Sequence, residues 1–366
     1  MKIALTKKLA IAMGIKLPST QEAVNPLFSW TANWTNVWGN CKTEEMLVLV
    51  NDATRFTVAI YQVKRNSLKN VAEIMKTAIS NTLLSMNINP DMVAEYMHLL
   101  GEVEFVQNSS RQAASWVTKA GVDCACYIGN EYNDVEKMFS DTVGISANRT
   151  IVNCSSKTGQ GFYPYKAMIN ALSEITGKKA YKYSAFELSV TLDLDIYKAV
   201  RKIIVPANIQ FTKLHKVLQS AFDWKSCHLY DFAVYDKNKD NLITRIVPFE
   251  EDLEYNEGAI LMEGRTLSEF LSEDKYIIYT YDMGDNWEHK IQIVNVIDEH
   301  GEESPYLIEA SGQTPPEDVG GVGGFAEFYE IMQNPNHPEY TETKAWAGYW
   351  TVELSDWRTH PRVISR

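Results

Sequence analysis

The chain switches from helical to strand periodicity over a short stretch near its middle, and this switch constrains the fold more than any other feature. Residues 164–177, PYKAMINALSEITG, repeat apolar side chains at helical spacing between a first-turn proline and a terminal glycine. Residues 186–194, FELSVTLDL, then alternate strictly between apolar and polar side chains, as in a strand with one buried face. Because 366 residues also exceed one ordinary core, we predict two domains, residues 1–180 and residues 181–366.

The first half of the chain predicts a mixture of helices and strands. Residues 45–52 and 55–63 are strand-like apolar runs joined by a short polar turn, so they predict a hairpin. Residues 69–88 have helical periodicity. Residues 89–101 predict a second helix, with a capping asparagine, a first-turn proline and a terminal glycine. A further strand is expected at residues 101–107.

Two local patterns of large or reactive side chains also stand out in this half. Trp30, Trp34 and Trp38 recur every four residues, which on a helix gives one stripe typical of a packed core. Cys124 and Cys126 flank a single alanine, and this alternation predicts a strand with both thiols on one face. The chain has five cysteines and no CxxC spacing, so we expect buried free thiols rather than disulfides or a zinc cluster.

The second half predicts a sheet crossed by a helix. Residues 186–194 and 200–206 read as two strands, and residues 211–222, FTKLHKVLQSAF, place one apolar stripe on a helix. Another strand follows at residues 227–236, and Thr266 to Glu269 form a capping box before a short helix. This order predicts an α+β fold whose second domain is a β-grasp-like mixed sheet with a helix packed across it.

The distribution of charge and hydropathy narrows the classes of partner. Residues 1–180 hold 18 Lys+Arg and 15 Asp+Glu, whereas residues 181–366 hold 17 and 32. The second half is strongly acidic, so it is not expected to bind the phosphate backbone of a nucleic acid. Any nucleic-acid binding is therefore expected in the near-neutral first half. No apolar run approaches the roughly 18 residues that span a bilayer, so we expect a cytoplasmic protein without a membrane partner.

Residues 279–291, YTYDMGDNWEHKI, concentrate chemically useful side chains in a predicted hairpin. We predict that Asp282 lies opposite Trp287 and Thr280 opposite His289, which makes Asp282 and His289 diagonal neighbours on one face. A carboxylate beside an imidazole is the arrangement of a general base or of an outer partner of a metal ligand. It is equally the arrangement of a structural hydrogen bond that satisfies a half-buried histidine.

Two more segments supply candidate ligands. His228 opens a predicted strand and could join His289 if their strands are neighbours; the alternative is a histidine that merely ends a strand. Residues 315–325, PPEDVGGVGGF, place Glu317 and Asp318 in a glycine-rich loop before a predicted helix. The P-loop spacing is missing and two carboxylates would repel phosphate, so any ligand of this loop is expected to be a cation. The alternative is a rigid, tightly turned connector.

Several stretches of the second half resemble the plasmid pRiA4b ORF-3-like family, which is often found with plasmids and mobile elements. They cover about residues 184–345 in order and include FELSVTLDL, YTYDMGDNWEHKI, TPPEDVGGVGGF and NPNHPEY. Met283 departs from the phenylalanine that family members usually carry in the hairpin turn. The first half resembles a smaller uncharacterised bacterial family through LTKKLA, TANWTNVW, LVLVNDATRFTVAIY and GEVEFVQNSSRQ. Neither resemblance implies an agreed activity.

The first resemblance favours one shared binding cleft, because the family's recurrent positions coincide with the candidates chosen on chemical grounds. The implied cleft residues are Asp282, Asp285, Trp287, His289, Glu317 and Asp318.

Three functional hypotheses follow. The first is an interaction module of a mobile-element or accessory gene set that binds an unidentified protein or small molecule, because no complete catalytic constellation is evident. The second is a metal-dependent hydrolase or nuclease, with Asp285 or Glu317 as base. Its divalent ion would be held by His228, His289, Asp282 and Asp318. The third is nucleic-acid binding through the first half, where Arg111, Trp116 and Lys119 could form a basic and aromatic surface.

Overall fold

A computed structural model describes residues 1–18, 24–37, 45–129, 138–153 and 161–364. The chain divides into two compact units, Met1–Lys182 and Tyr183–Arg366. Trp38, Cys41 and Cys154 lie outside the described residues. Within those ranges, no helix combines the length and the apolar character that crossing a membrane requires.

The N-terminal unit combines a five-stranded sheet with flanking helices. Its sheet has the order β4-β3-β2-β1-β5, in which β1 runs parallel to both of its neighbours and the other pairs are antiparallel; β6 and β7 pair separately. Short 3₁₀ helices occur at Pro26–Phe28 and Arg65–Asn70. The other elements are β1 (Lys2–Leu5), α1 (Lys7–Met13), β2 (Ser29–Asn36), β3 (Glu45–Asn51), β4 (Thr57–Ile60), α2 (Val71–Ser85), α3 (Pro90–Leu100), β5 (Glu104–Gln107), α4 (Arg111–Gly129), α5 (Asp141–Arg149), β6 (Val152–Asn153), β7 (Gly161–Phe162) and α6 (Pro164–Thr176).

Local sequence rules correctly predict most elements of this unit. The predicted hairpin is confirmed by the antiparallel pairing of β3 with β4, in which Leu47 lies opposite Ile60. Helix α3 begins as predicted, because the Asn89 side chain accepts a hydrogen bond from the Asp91 N–H at 3.0 Å. Helix α2 buries its periodic apolar face, and Gly177 follows α6 in the left-handed conformation.

Two predictions in this unit are wrong, because in both cases the spacing of a few residues fits a helix as well as a strand. Trp30 and Trp34 lie in strand β2, because a spacing of four is also a multiple of the two-residue period of a strand. Both tryptophans are nevertheless buried, as expected of a core. Cys124 and Cys126 lie in helix α4. Two residues are too few to distinguish a strand from a helix, and the periodicity becomes clear only over the whole segment. Cys124 is therefore buried and Cys126 exposed, both as free thiols.

The C-terminal unit is built on one large sheet. Its strand order is β12-β11-β10-β13-β14-β8-β9-β15-β16, with β11 and β12 parallel and the other pairs antiparallel. The elements are β8 (Tyr183–Asp193), β9 (Lys198–Pro206), α7 (Phe211–Phe222), β10 (Tyr230–Asp236), β11 (Leu242–Val247), α8 (Asp252–Tyr255), β12 (Ile260–Leu261), α9 (Leu267–Phe270), β13 (Lys275–Tyr281), β14 (Trp287–His300), β15 (Tyr306–Ser311), α10 (Gly321–Gln333), α11 (Tyr340–Ala347), α12 (Asp356–Thr359) and β16 (Arg362–Val363).

Helix α7 packs across one face of this sheet and closes the core. The Phe211 ring lies edge-on to Phe232 of β10, with 5.0 Å between the ring centroids. At the other end of the helix, the ring centroids of Phe222 and of His289 in β14 are 4.6 Å apart. The alternating apolar residues of β8 are buried in the same cluster. The predicted α+β architecture, with a mixed sheet crossed by a helix, is therefore confirmed.

Candidate metal centre

The hairpin between β13 and β14 pairs in a register that differs by one residue from the predicted one. Tyr281 lies opposite Trp287, and Tyr279 lies opposite His289. Asp282 belongs to the turn instead, in a left-handed conformation with a φ of 58°. The predicted pairing was wrong because the connection uses one residue more than expected, and a one-residue shift moves side chains to the opposite face. Asp282 and His289 are therefore not cross-strand neighbours.

His289 is a core residue whose two ring nitrogens are both engaged. Nδ1 lies 3.0 Å from the Trp287 carbonyl oxygen and 3.2 Å from that of Tyr279, so it carries the proton and donates. Nε2 accepts a hydrogen bond from Nε1 of Trp224 at 3.2 Å. Complete burial lowers the pKa of His289 to about 4, so the imidazole is neutral at pH 7. With no lone pair left, His289 is not placed to bind a metal ion.

Trp287, a second predicted cleft residue, also lies in this core. Its side chain is fully buried and stacks on Trp224, with 5.9 Å between the ring centroids. The two indoles and the His289 imidazole thus form an aromatic layer under the hairpin, and the structure does not bring Trp287 to an open cleft.

The buried histidines predict a pH dependence of stability. Burial lowers the pKa of His289 to about 4 and that of His215 to about 3, both below the ordinary value of 6.5. Between pH 7.5 and pH 5 the unfolded chain therefore binds protons that the folded chain does not. Stability is full above pH 6.5 and falls as the pH drops towards 4, by on the order of 2 kcal/mol for each histidine at pH 5.

Urea unfolding at pH 7.5 and pH 5 in the presence of a chelator measures this loss. His289→Asn is expected to reduce the difference between the two pH values by about 2 kcal/mol, whereas His337→Ala, at the surface, is expected to leave it unchanged. Equal stability of the unchanged protein at both pH values would contradict the neutral assignment of the two buried imidazoles.

His228 lies at the centre of a different cluster, in which three carboxylates converge on one nitrogen. Nε2 of His228 is 3.5 Å from Oδ2 of Asp282, 3.6 Å from Oε2 of Glu317 and 3.2 Å from Oδ1 of Asp318. The two longer distances exceed those of good hydrogen bonds, and Nε2 is buried without a hydrogen-bond partner among the described residues. Glu317 and Asp282 are largely buried, whereas the Asp318 side chain is 71% exposed.

Three separate segments supply the cluster. His228 follows α7 and precedes β10, Asp282 lies in the hairpin turn, and Glu317 and Asp318 lie in the loop before α10. Asp318 shares the left-handed conformation of Asp282, with a φ of 60°. The loop after α7 and the loop before α10 meet directly, because the Lys225 N–H donates to Oε1 of Glu317 at 2.6 Å.

Two of the carboxylates are oriented by fixed donors. Oδ1 of Asp282 accepts hydrogen bonds from the N–H groups of Gly284 and Asp285 at 2.9 and 3.3 Å. The Tyr281 hydroxyl donates to Glu317, at 3.2 and 3.3 Å from its two oxygens. These donors hold the two carboxylates with Oδ2 of Asp282 and Oε2 of Glu317 near His228, which is the usual support of a metal ligand.

The donor atoms fit a divalent transition-metal ion. Bonds of about 2.0–2.1 Å around a tetrahedral ion place neighbouring ligand atoms about 3.3 Å apart, close to the separations seen around His228. The ligand atoms of His228, Asp282 and Asp318 all lie within 4.8 Å of one another, as do those of Cys227, His228 and Glu317. A positive ion would also offset the repulsion among the carboxylates, which burial strengthens.

The glycine-rich loop packs on the hairpin turn through Asp285. Oδ2 of Asp285 accepts a hydrogen bond from the Gly320 N–H at 3.1 Å. A Cβ atom at Gly321 would lie 2.8 Å from the Asp285 carbonyl oxygen, and its φ of 68° also favours glycine. The loop is therefore a tight connector as well as a source of carboxylates. Asp285 holds it in place and is not among the atoms grouped around His228.

The sequence interpretation missed three contributors to this site. Tyr281 and the Lys225 backbone both hold Glu317, and Cys227 places its thiol 3.7 Å from the Tyr281 hydroxyl. The Cys227-His228 dipeptide is the one local signal that could have indicated a ligand pair. The contacts of Lys225 and Tyr281 with Glu317 could not be predicted from the spacing of residues in the sequence.

In the N-terminal unit, the predicted basic and aromatic surface is partly covered. The Arg55 guanidinium lies 4.9 Å from the ring centroid of Trp116, while Arg111 and Lys119 are exposed on the same helix. Nucleic-acid binding by this unit stays a prediction.

Fold and site together define a two-unit α+β protein with a histidine–carboxylate centre in its C-terminal sheet unit. The chain belongs to the plasmid pRiA4b ORF-3-like family, whose family model matches residues 184–359. Residues 2–167 match a second family, a domain of unknown function (DUF6933). Both matches confirm the resemblances found from sequence motifs.

The chain is also similar to two proteins whose descriptions state no function. The uncharacterized protein y4hQ of Sinorhizobium fredii (strain NBRC 101917 / NGR234) is 38% identical over 168 residues, which is 45% of this chain and 81% of the relative. The crystal structure of a protein of unknown function, MM3350 from Methanosarcina mazei Go1, is 28% identical. That match covers 48% of this chain and 97% of the solved one, with a TM-score of 0.43.

Proposed function

We propose that the C-terminal unit binds one divalent transition-metal ion, zinc in preference to manganese, through His228, Asp282 and Asp318, with Glu317 beside them. The observation that carries this proposal is the buried Nε2 of His228, which faces three carboxylates and has no hydrogen-bond partner in the described part of the chain. Nitrogen and carboxylate donors with a thiol nearby favour zinc, because calcium and magnesium prefer oxygen ligands alone.

The ion is proposed to anchor a ligand or partner rather than only to stabilise the fold. Asp318 is mostly exposed, so the side of the cluster that it borders is open to solvent. A structural zinc site is usually closed by four protein ligands, whereas an open side leaves a position for an added donor. A cation-dependent interaction module in a plasmid-associated gene set agrees with the family to which the chain belongs.

Metal content of the dialysed, untagged protein tests the proposal. We expect about one ion per chain in the unchanged protein and close to none in His228→Gln and Asp282→Asn, because each variant removes a ligand. Asp285→Asn is the matched control: it makes the same chemical change in the same turn, outside the cluster, and is expected to keep the ion.

Circular dichroism of each variant shows whether loss of the ion reflects loss of the fold. If the folded, unchanged protein retains no ion after dialysis and shows no saturable binding of added Zn²⁺ or Mn²⁺, the metal proposal fails. Retention of the ion in both ligand variants would contradict the assignment of the ligands.

Metal-dependent hydrolysis is a second candidate, favoured by the buried carboxylate of Glu317, which lies 3.6 Å from Nε2 of His228. A water on the ion could reach solvent past Asp318, and a carboxylate held by Tyr281 could accept its proton. Metal-dependent cleavage of a model phosphodiester that Glu317→Gln abolishes would establish a hydrolase. Stoichiometric metal without turnover would leave the interaction module as the function.

A further inference from the structure

Cys227 adds a thiol to the histidine–carboxylate cluster, next to His228 in the chain. The ligand atoms of Cys227, His228 and Glu317 all lie within 4.8 Å of one another. Those of His228, Asp282 and Asp318 meet the same limit, so the two groups share His228. A metal ion beside this histidine would therefore have a sulfur donor within reach in addition to the carboxylates.

The backbone of Cys227 is held more firmly than its thiol. The Cys227 N–H donates a hydrogen bond to the Tyr281 hydroxyl at 3.1 Å, and that hydroxyl donates its own proton to Glu317. The Cys227 sulfur lies 3.7 Å from the same hydroxyl, which is a weak contact because sulfur is a poor hydrogen-bonding group. The residue is also exposed. The side chain can therefore turn while the backbone stays in place.

The position of this sulfur suits a ligand of the same ion as His228. Bonds of about 2.3 Å to sulfur and about 2.0–2.1 Å to nitrogen place the two donor atoms about 3.5 Å apart around a tetrahedral ion. This separation lies inside the 4.8 Å within which the Cys227 and His228 ligand atoms are found, so the sulfur can reach the ion from the observed backbone. Thiolates are also preferred ligands of zinc.

We propose that Cys227 occupies the fourth position of the metal ion and that oxidation of its sulfur opens this position for a donor from the partner. The inference rests on the proposed metal site and adds its regulation. When the sulfur binds, the S–H bond breaks, the proton leaves to solvent and a metal–sulfur bond forms. Four protein ligands then close the site, so an added donor has to displace the sulfur.

The oxidant in this proposal is hydrogen peroxide, which is small, uncharged and able to reach an exposed residue. The Cys227 thiolate attacks one peroxide oxygen, so that an S–O bond forms, the O–O bond breaks and hydroxide leaves. Two electrons pass from sulfur to peroxide, and the cysteine becomes a sulfenic acid that excess thiol can reduce again. The oxidised sulfur is a poorer donor than a thiolate, so the metal–sulfur bond breaks while His228, Asp282 and Asp318 keep the ion.

Absorption of the full-length protein loaded with cobalt(II) tests the ligand. Cobalt bound to a thiolate has an intense charge-transfer band in the near ultraviolet, which nitrogen and oxygen ligands do not produce. We expect the band in the unchanged protein and in Cys126→Ser, whose exposed thiol lies in helix α4, and its loss from cobalt-loaded Cys227→Ser. Bound cobalt without the band, or a band that persists in Cys227→Ser, would overturn the inference and leave the metal proposal standing. Absence of bound metal would refute both.

Calorimetric titration of the zinc-loaded protein with imidazole, a probe for a histidine donor, tests the opening. We expect imidazole to bind about tenfold more tightly after peroxide treatment, as it should if the sulfur occupies the position about nine-tenths of the time. Cys227→Ser is expected to show the tighter binding before treatment and no change after it, and dithiothreitol to restore the weaker binding of the oxidised protein. Unchanged imidazole binding after peroxide, release of the zinc, or a Cys227 thiol that mass spectrometry finds unoxidised would overturn the proposed opening.

Discussion

His289→Ala is expected to destabilise the C-terminal unit by about 3 kcal/mol. Removing a fully buried imidazole leaves a cavity among large aromatic side chains, a change that costs about 2–5 kcal/mol in comparable cores. It also leaves the Trp224 indole N–H without its acceptor, and a buried unsatisfied donor costs a further 1–3 kcal/mol unless water enters. Urea unfolding at pH 7.5 measures the change in the free energy of unfolding.

The same variant separates a structural role of His289 from a ligand role. Because both ring nitrogens are engaged within the core, the folded variant is expected to bind the proposed metal ion as the unchanged protein does. His337→Ala, a surface histidine of the same unit, is the control for stability and is expected to change it by less than about 0.5 kcal/mol. A folded His289→Ala protein that had lost its ion at unchanged stability would reverse this assignment.

Gly312→Ala is expected to cost about 3 kcal/mol or more, because the backbone leaves no room for a Cβ atom. The added atom would lie 2.5 Å from the Lys198 carbonyl oxygen and 2.9 Å from Cα of Ala199. The φ of 72° adds about 1–2 kcal/mol for a residue other than glycine. The strand ends carrying Gly312 and Lys198 must separate to relieve the overlap, which adds a cost like that of overpacking.

Two other glycines of the same unit serve to separate the steric cost of Gly312→Ala from its conformational cost. Gly264→Ala has a similar φ of 73° and open space around its Cβ position, so it is expected to show the conformational cost alone, about 1 kcal/mol. Gly301→Ala has neither constraint and is expected to be near neutral. Denaturant unfolding of the three variants tests this order, and a Gly312→Ala protein as stable as Gly264→Ala would show that the strand ends yield freely.

Gly312→Ala also has a consequence for the buried Arg201 side chain. The Gly312 carbonyl oxygen accepts a hydrogen bond from Arg201, and the same segment continues through Thr314 to the loop that carries Glu317. A shift of residues 311–314 would therefore reach both Arg201 and the proposed metal site through one stretch of backbone.

Elements with local sequence signals could be predicted without the structure. Helix α7 spans the predicted residues 211–222, β9 ends at Pro206, and Thr266 forms the predicted capping box with Glu269. These features depend on backbone hydrogen bonds and on the burial of one face, which leave a period or a cap residue in the sequence. The two families were recognisable for a similar reason, because their motifs are contiguous.

Which side chains meet depends on the three-dimensional packing and could not be predicted in the same way. The hairpin register differs by one residue from the predicted one. In the observed register His289 lies in the core, and Asp282 lies near His228 instead. The contact of His228 with Glu317 joins segments far apart in the chain. Periodicity reports which face of an element is buried, but the convergence of distant loops depends on strand order, turn length and packing, which no local pattern encodes.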